Sequence, residues 1–349
     1  RLISLMFRHL DNVQCVSPVM SNIKSAVNSS EIIRPPGFYI IGFQSFPFIS
    51  VYFIFLAFVY VVTLLFNALV IYTVALNGCL HTPKFVAVVN LAFIDVILNS
   101  STIPGMMKIF LFKENFVPFD LCLVQMFVYY TSASLESFAL AILAYDRLVA
   151  ICFPLRQNSL NTLRSMSYII SVTWCFTLGI CAFAIGIMTQ LSFCKSVNVY
   201  GYFCDYLPVF TLACNDYSLH WYLASTLFIM ILGGPFIFIF LSYISILVTV
   251  FRMKSIDSRV KALATCVEHL ILVALYYIPL STIFSVQYFS VRPLDVEQWV
   301  LSLSLASCLP PCVNPIVYSF RTKEIRVRAL ALIRAKKTGI DVKFVNIWR

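Results

Sequence analysis

Seven long apolar runs constrain this chain more than any other feature of its sequence. They cover approximately residues 48–76, 85–105, 122–151, 167–189, 217–251, 262–290 and 299–320. A helix needs roughly 20 residues to cross a hydrocarbon core of about 30 Å, and each run is long enough. Because 60% of the residues are hydrophobic and only 11% are charged, the composition excludes an ordinary soluble domain. The sequence predicts an all-α membrane protein with a seven-transmembrane-helix bundle over residues 47–320.

The basic residues predict which way the bundle faces. If the amino end is outside the cell, 17 of the 25 Lys and Arg residues fall in inner segments. Cytoplasmic segments carry an excess of these residues, so residues 1–46 are predicted to be an extracellular tail and residues 321–349 a cytoplasmic tail. The net charge of +10 then reflects topology and attraction to anionic membrane lipid, and no nucleic acid is expected as a partner.

Both tails carry local signals. The sequence opens with Arg, and Met20 begins a more ordinary outer tail, so residues 1–19 are a candidate gene-model extension. Asn28 begins an Asn-Ser-Ser sequon and is predicted to be glycosylated. After the seventh run, residues 323–337 alternate apolar and basic side chains, which predicts a short amphipathic helix on the inner membrane surface.

Two acidic residues lie inside predicted spans at the same depth. At about 1.5 Å per helical residue, Asp95 lies roughly 16 Å from the inner face and Glu136 about 15 Å from it. Two bare charges there would repel each other and be poorly solvated, so the pair is expected to share a proton or to hold a cation. One interpretation is that both are neutral and hydrogen-bonded. The other is a sodium site completed by Asn314.

The remaining polar residues within spans have simpler interpretations. Asn67 is predicted to form a hydrogen bond between helices. His269 is expected to form a packing hydrogen bond, because no second metal ligand of matching spacing accompanies it. Of the 12 cysteines, Cys122 begins span three at the outer face, and three more lie in the outer loop between spans four and five: Cys194, Cys204 and Cys214. An oxidising outer compartment favours disulfides among these four, and three pairings are open.

Three motifs, together with the loop cysteines, identify a family. Residues 143–152 read LAYDRLVAIC, residues 261–270 read KALATCVEHL, and residues 310–318 read PPCVNPIVY. In this combination the chain resembles the odorant receptors, a family of rhodopsin-like G protein-coupled receptors, and most of all their fish members. The resemblance covers roughly residues 25–335.

The resemblance implies a function and a location. It implies a receptor that binds a small odorant from the outer side and activates a heterotrimeric G protein of the olfactory, adenylate cyclase-stimulating type. It places the chain in the plasma membrane of olfactory neuron cilia. It implies the disulfides Cys122–Cys204 and Cys194–Cys214, and an inner switch formed by Asp146, Arg147, Tyr318 and His269.

The outer half of span three offers aromatic, hydroxyl and small side chains as ligand-binding residues: Tyr129, Tyr130, Ala133 and Ser134. Family-like placement adds one loop residue and residues of spans six and seven: Tyr206, Tyr277, Leu280, Phe284, Gln287, Ser304 and Ser307. Span seven has no lysine, which excludes a retinal Schiff base there, and the outer half of span three has no carboxylate to bind amines. The predicted cavity therefore has no obvious fixed charge and suits a small neutral or amphipathic odorant.

Other function classes remain as alternatives. A non-olfactory receptor for a small metabolite would share the architecture. An ion or proton transporter could use the paired acids, but transporters tend to contain internal repeats, and none is visible here. An enzyme is not expected, because the four histidines accompany no nucleophile or metal-ligand cluster. No cofactor is expected apart from the candidate sodium ion.

Overall fold

The computed structural model describes residues 32–43, 48–194, 196–289, 294–321 and 325–328. Seven long helices run through these residues: α1 (Ile49–Leu76), α2 (Pro83–Met106), α3 (Phe119–Cys152), α4 (Leu163–Met188), α5 (Ser218–Arg252), α6 (Ile256–Phe289) and α7 (Val296–Arg321). Their bounds lie within a few residues of the predicted spans, except that α6 begins six residues earlier. The predicted sequon at Asn28, residues 1–31 and most of the predicted surface helix lie outside the described residues.

Helix α3 is followed by a sharp bend. The other six helices are individually long and apolar enough to cross a membrane. Helix α3 passes the same test together with the segment Pro154–Leu160, from which a bend of 111° separates it, and is the seventh candidate span. It carries Glu136, Asp146 and Arg147, which are all buried inside the bundle. The seven-helix membrane bundle predicted from the sequence is confirmed, and the protein is a multi-pass membrane protein.

Helix α3 lies at the centre of the bundle. It contacts α2, α4, α5 and α6, while α7 contacts α1, α2 and α6. Its buried apolar side chains Leu135, Leu140 and Leu143 form one core cluster with residues of the neighbouring helices. A polar group on α3 is therefore surrounded by protein rather than lipid, which is where intramembrane charges are tolerated.

Polar side chains also join α1, α2 and α7 to one another. Asn67 Nδ2 on α1 donates to the Pro311 carbonyl oxygen on α7 over 3.2 Å, which confirms the predicted bond between helices. Asn99 Nδ2 on α2 donates to Thr63 Oγ1 at 2.9 Å and to the Cys308 carbonyl at 3.1 Å. Such bonds hold α1, α2 and α7 in register where hydrophobic burial alone gives little preference between helix faces.

A small sheet covers the end of the bundle that carries the disulfides, which we call the outer end. Strand β1 (Gly37–Ile40) pairs antiparallel with β2 (Phe116–Pro118) and parallel with β3 (Asn198–Val199). No strand is predicted from the sequence in the amino-terminal tail, so residues 37–40 add a short strand to the predicted helical bundle. Phe38 and Ile40 are both fully buried beneath the sheet, so the segment lies against the bundle.

Close backbone approach explains two glycines at this sheet. A Cβ atom on Gly37 would lie 2.2 Å from the Val117 carbonyl oxygen. A Cβ atom on Gly42 would lie 2.3 Å from the Gly201 carbonyl oxygen. Any side chain at either position would push the tail away from the loops, so glycine is needed for the strands to meet.

Both disulfides implied by the family resemblance are present. Cys122 at the outer end of α3 is bonded to Cys204, and Cys194 is bonded to Cys214. Their Cα atoms lie 5.3 and 5.8 Å apart, which is ordinary for a disulfide. The first bond ties the long loop between α4 and α5 to α3, and the second closes that loop on itself.

Only residues 325–328 of the predicted surface helix are described, and they are helical. Ile325 is fully buried against the bundle, and Arg328 Nη1 donates to Asn77 Oδ1 at 3.3 Å and contacts Cys79 Sγ. The start of the inner tail is thereby joined to the loop between α1 and α2.

Candidate functional site

Three hydroxyl groups meet at the outer end of α3. Tyr129 Oη lies 2.9 Å from Ser307 Oγ on α7 and 3.0 Å from Tyr202 Oη of the long loop. The third side of the triangle, from Tyr202 Oη to Ser307 Oγ, is 3.0 Å. The structure thus joins two predicted ligand residues to Tyr202, which the sequence-based set lacks. Each hydroxyl has one proton and two lone pairs, so the triangle retains accepting capacity for a further donor.

A carboxyl group lies beside this triangle. Tyr130 on α3 donates its hydroxyl proton to Asp205 Oδ1 in the long loop. Burial raises the pKa of the Asp205 carboxyl above its ordinary value, and hydrogen bonds from the Tyr130 hydroxyl and the Tyr206 backbone oppose that rise. The cavity predicted from the sequence has no obvious fixed charge, and Asp205 adds a titratable carboxyl beside it that the sequence-based set lacks. Asp205 directly follows the disulfide-bonded Cys204, and that adjacency is the signal from which its position over α3 could have been inferred.

Tyr206 packs toward α5. Its hydroxyl lies 2.7 Å from His220 Nδ1, and its ring contacts Phe210 edge-on with centroids 5.4 Å apart. On the other side the Tyr130 ring lies 6.2 Å from it. Tyr206 therefore supports Tyr130 from behind, and His220 is a further polar residue that the sequence-based set lacks.

Two tyrosines of α6 bind to α3 below the triangle. Tyr277 Oη lies 2.8 Å from Ser137 Oγ, which itself donates to the Ile231 carbonyl of α5 at 2.8 Å. Tyr276 donates to the Ala133 carbonyl at 3.1 Å. Ile231 lies in a π-helical turn of α5, where a carbonyl points away from the regular ladder. Ser137, absent from the predicted set, joins three helices at one point.

The other predicted ligand residues are spread over the outer half. Ser134 Oγ donates to the Tyr130 carbonyl of its own helix at 2.6 Å. Ser304 is fully buried and lies 2.6 Å from Tyr52 Oη, so it joins α7 to α1. The Phe284 ring contacts Phe228 and Trp299, Leu280 packs on the core of the bundle, and the side chain of Gln287 lies outside the described residues.

The two acids predicted at one depth are brought together by one amide. Asn314 Nδ2 on α7 lies 3.0 and 3.2 Å from the two Asp95 carboxyl oxygens and 3.4 Å from Glu136 Oε1. Asp95 is 0% exposed and Glu136 is 2% exposed. Among the described residues, neither acid has a Lys, Arg or His partner within salt-bridge distance. A proton or a cation must therefore balance any charge on this pair.

His269 ties α6 to α3 and α5. Its Nε2 lies 2.9 Å from the Leu140 carbonyl, and its Nδ1 lies 2.8 Å from Tyr243 Oη. In a neutral imidazole Nε2–H donates to the carbonyl and Nδ1 accepts from the tyrosine. The Tyr243 ring also stacks on the imidazole at 5.7 Å and 12°. The packing hydrogen bond predicted for His269 is present.

The guanidinium group of Arg147, at the inner end of α3, has few polar contacts. Asp146 Oδ2 lies 4.0 Å from Arg147 Nη1, while Asp146 Oδ1 accepts from Asn161 Nδ2 at 2.7 Å. Arg147 is 7% exposed, and its Nε has no hydrogen-bond partner among the described residues. Tyr318 of α7 is buried nearby, and its hydroxyl is likewise without such a partner in the described chain. These groups are therefore available for new contacts.

The side chains around the acid pair determine which kind of cation could bind there. Within the described ranges, no three or more His, Cys, Asp and Glu side chains are grouped as a metal site. Asp95, Glu136 and Asn314 offer only oxygen atoms as ligands, a set that suits a hard cation rather than a transition metal.

Comparison with known proteins supports one assignment. Residues 56–336 match the family model described as olfactory receptor. Human olfactory receptor 2AT4 is 31% identical over 309 residues, covering 88% of this chain and 95% of the relative. Mouse olfactory receptor 51E2 is 34% identical over 284 residues, covering 79% and 86%, and human olfactory receptor 51E1 is 34% identical over 273 residues, covering 78% and 85%. Matches of this extent, together with the seven-helix bundle and its two disulfides, show that the chain belongs to the olfactory receptor family.

Proposed function

We propose that this protein is an odorant receptor that binds a small organic molecule at the outer half of α3 and activates a heterotrimeric G protein at its inner end. The observation that carries the proposal is the distribution of polar groups along α3. Tyr129 and Tyr130 lie at the outer end, Glu136 lies at mid-depth, and Asp146 and Arg147 lie at the inner end. One helix thus connects all three levels.

The outer level determines the class of ligand. The triangle of Tyr129, Tyr202 and Ser307 offers hydroxyl donors and acceptors, and Tyr130 with Asp205 adds a polar group beside it. The surrounding side chains are mostly aromatic. A small molecule with an apolar body and one or two hydrogen-bonding groups fits such a lining. The proposed ligand is therefore a small amphipathic odorant.

The inner level supports coupling to a G protein. Arg147 has an unpartnered Nε and only a 4.0 Å contact with Asp146, so little must be broken for the guanidinium to reach a partner. The distribution of Lys and Arg supports the same orientation, with the amino end outside the cell. By family, the partner is a G protein that stimulates adenylate cyclase, and the site of action is the plasma membrane of olfactory cilia. The expected likeness to fish receptors stays a prediction, because the relatives compared above are human and mouse proteins.

A cell assay tests the proposal. Cells expressing the chain with an olfactory-type G protein are exposed to a broad panel of water-soluble odorants, and cyclic AMP is measured. Arg147→Ala should abolish the ligand-driven signal while leaving surface expression unchanged. Arg164→Ala is the matched control, since Arg164 is exposed at the start of α4. A signal that survives Arg147→Ala, or ion flux without any cyclic AMP response, would refute the proposal.

For the middle level we propose that Asp95, Glu136 and Asn314 form a charge-balancing site that holds a proton or a sodium ion. Both carboxylates share one amide and are fully enclosed, so their charge state affects the packing of α2, α3 and α7. Thermal unfolding of the purified receptor in sodium chloride and in the chloride of a large organic cation distinguishes the two occupants. A higher melting temperature only in sodium supports the ion, and equal melting temperatures support the shared proton.

A further inference from the structure

A cavity opens on the side of the bundle, between the outer halves of α2 and α3. Its volume is about 540 Å³, and it is separate from the hydroxyl triangle. Its floor is apolar, formed by Val96 and Ile97 of α2 with Val128 of α3. This volume lies within the range of ordinary small-molecule sites, about 300–1,000 Å³.

The outer wall of the cavity faces away from the protein. Leu121 and Val124 of α3 line it and are 54% and 56% exposed. On a membrane-spanning helix, such side chains are covered by lipid. The cavity therefore opens to the bilayer, and its occupant reaches it from the membrane.

The chain forms the cavity through local breaks in α2. Pro104 lies inside the helix, and residues Met107–Leu111 continue it as a π-helical turn that carries Lys108. A Cβ atom on Gly105 would lie 3.0 Å from Gln125 Nε2, so the glycine leaves room for that amide. Gln125 in turn donates to the Ser101 carbonyl at 3.2 Å. Gly105, Lys108 and Ile109 of this stretch line the cavity, and π turns of this kind are frequent at functional sites.

Opposite charges mark the outer rim. Lys108 Nζ lies 3.3 Å from Glu114 Oε2, and their side chains are 61% and 65% exposed. An ion pair so exposed contributes little stability, and a ligand carrying both charges can replace it. Phe116, whose ring is also part of the lining, lies on β2 just after Glu114. A carboxylate together with an aromatic ring is the combination that recognises a quaternary ammonium group.

We propose that this cavity binds a phosphatidylcholine molecule of the outer leaflet. Its phosphate would face Lys108, its choline group would face Glu114 and Phe116, and an acyl chain would lie along Leu121 and Val124. Charge complementarity selects this lipid, because the rim presents both signs at one place. Anionic lipids are concentrated in the cytoplasmic leaflet, so a rim at the outer end meets mainly zwitterionic head groups. A sterol has one hydroxyl and no charge, so it offers no complement to the two charges of the rim.

Photolabelling tests the proposal. The purified receptor is reconstituted in vesicles of equal parts phosphatidylcholine and phosphatidylglycerol, with a trace of phosphatidylcholine bearing a diazirine on its acyl chain. Labelled peptides are mapped by mass spectrometry. We expect labelling of the α2 and α3 segments that line the cavity, and its loss in Val124→Trp, where the indole fills the space. Glu114→Gln should reduce that labelling about two- to fivefold, the range for one exposed charge contact.

Matched controls separate the site from general lipid contact. Val172→Trp adds the same side chain at a lipid-facing position of α4, where Val172 is 47% exposed, and should leave the labelling unchanged. Leu121→Trp replaces Val124→Trp if the latter does not fold. Labelling that persists in the filled variants, that falls equally in Val172→Trp, or that is displaced by a sterol and is indifferent to Glu114→Gln would overturn the proposal.

Discussion

The carboxyl group of Asp205 provides the sharpest test of how the long loop is held over the bundle. It accepts the Tyr130 hydroxyl and is partly buried, and burial raises its pKa above the ordinary value. A raised pKa means that the folded protein binds this proton more tightly than the unfolded chain does. The stabilisation from protonation is therefore fully present below the unfolded pKa of about 3.9, and it is lost as the pH rises through the folded pKa.

Two substitutions separate the charge from the hydrogen bond. Asp205→Asn keeps an oxygen acceptor for Tyr130 and removes the titrating group. The part of the unfolding free energy that depends on protonation of Asp205 should therefore disappear. That part amounts to about 1.4 kcal/mol for each unit by which the folded pKa exceeds the unfolded pKa. Asp205→Ala leaves the Tyr130 hydroxyl without its acceptor, which should cost about 1–3 kcal/mol at every pH.

Thermal unfolding of the purified receptor, measured from about pH 4 to pH 7, checks both expectations. Relative to the wild type, Asp205→Asn should gain stability as the pH rises, and Asp205→Ala should be less stable than Asp205→Asn throughout. Asp216→Asn is the control, because hydrogen bonds from Ser218 lower the pKa of that exposed loop acid. If Asp205→Asn and the wild type keep a constant difference over the whole range, the description of a buried, titrating carboxyl is refuted.

Two further predictions concern the outer end. Gly37→Ala should destabilise the receptor by about 1–3 kcal/mol, because its Cβ would meet the Val117 carbonyl, whereas Gly78→Ala has open space and should be neutral in the same unfolding assay. Tyr129→Phe and Ser307→Ala should each cost about 1 kcal/mol per lost hydrogen bond. The double variant should lose less stability than the two single variants added together, because both substitutions remove the same 2.9 Å hydrogen bond. Fully additive losses would contradict the hydroxyl triangle.

The helices and the acid layer could be predicted because they depend on short-range rules. The length of an apolar run is enough to predict a membrane span. The helical rise of about 1.5 Å per residue then places Asp95 and Glu136 at one depth, whatever the packing of their helices. The structure brings these acids together around Asn314, although their occupant remains a proposal. The disulfide pairing needed the family resemblance, because spacing alone left three possibilities.

The outer sheet and Asp205 could not be predicted in the same way. Strand β1 has four residues, and its partners begin about 80 and 160 positions further along the chain, at Phe116 and Asn198. Such a strand is stabilised by pairing with its neighbours and by the burial of Phe38. Neither effect can be predicted from the residues next to it in the sequence. Asp205 and Tyr202 reach α3 only because the loop folds back through the Cys122–Cys204 bond.

The central claim is that α3 couples ligand binding at Tyr129 to G protein binding at Arg147. The most direct measurement is the affinity of the purified receptor for an activating odorant, with and without a nucleotide-free G protein. Coupling between two sites is reciprocal and typically about 1–3 kcal/mol, so the G protein should raise odorant affinity roughly 5–150-fold. Arg147→Ala should bind the odorant with the affinity of the free wild-type receptor and show no increase. An odorant affinity that does not change when G protein binds the wild-type receptor would contradict the account.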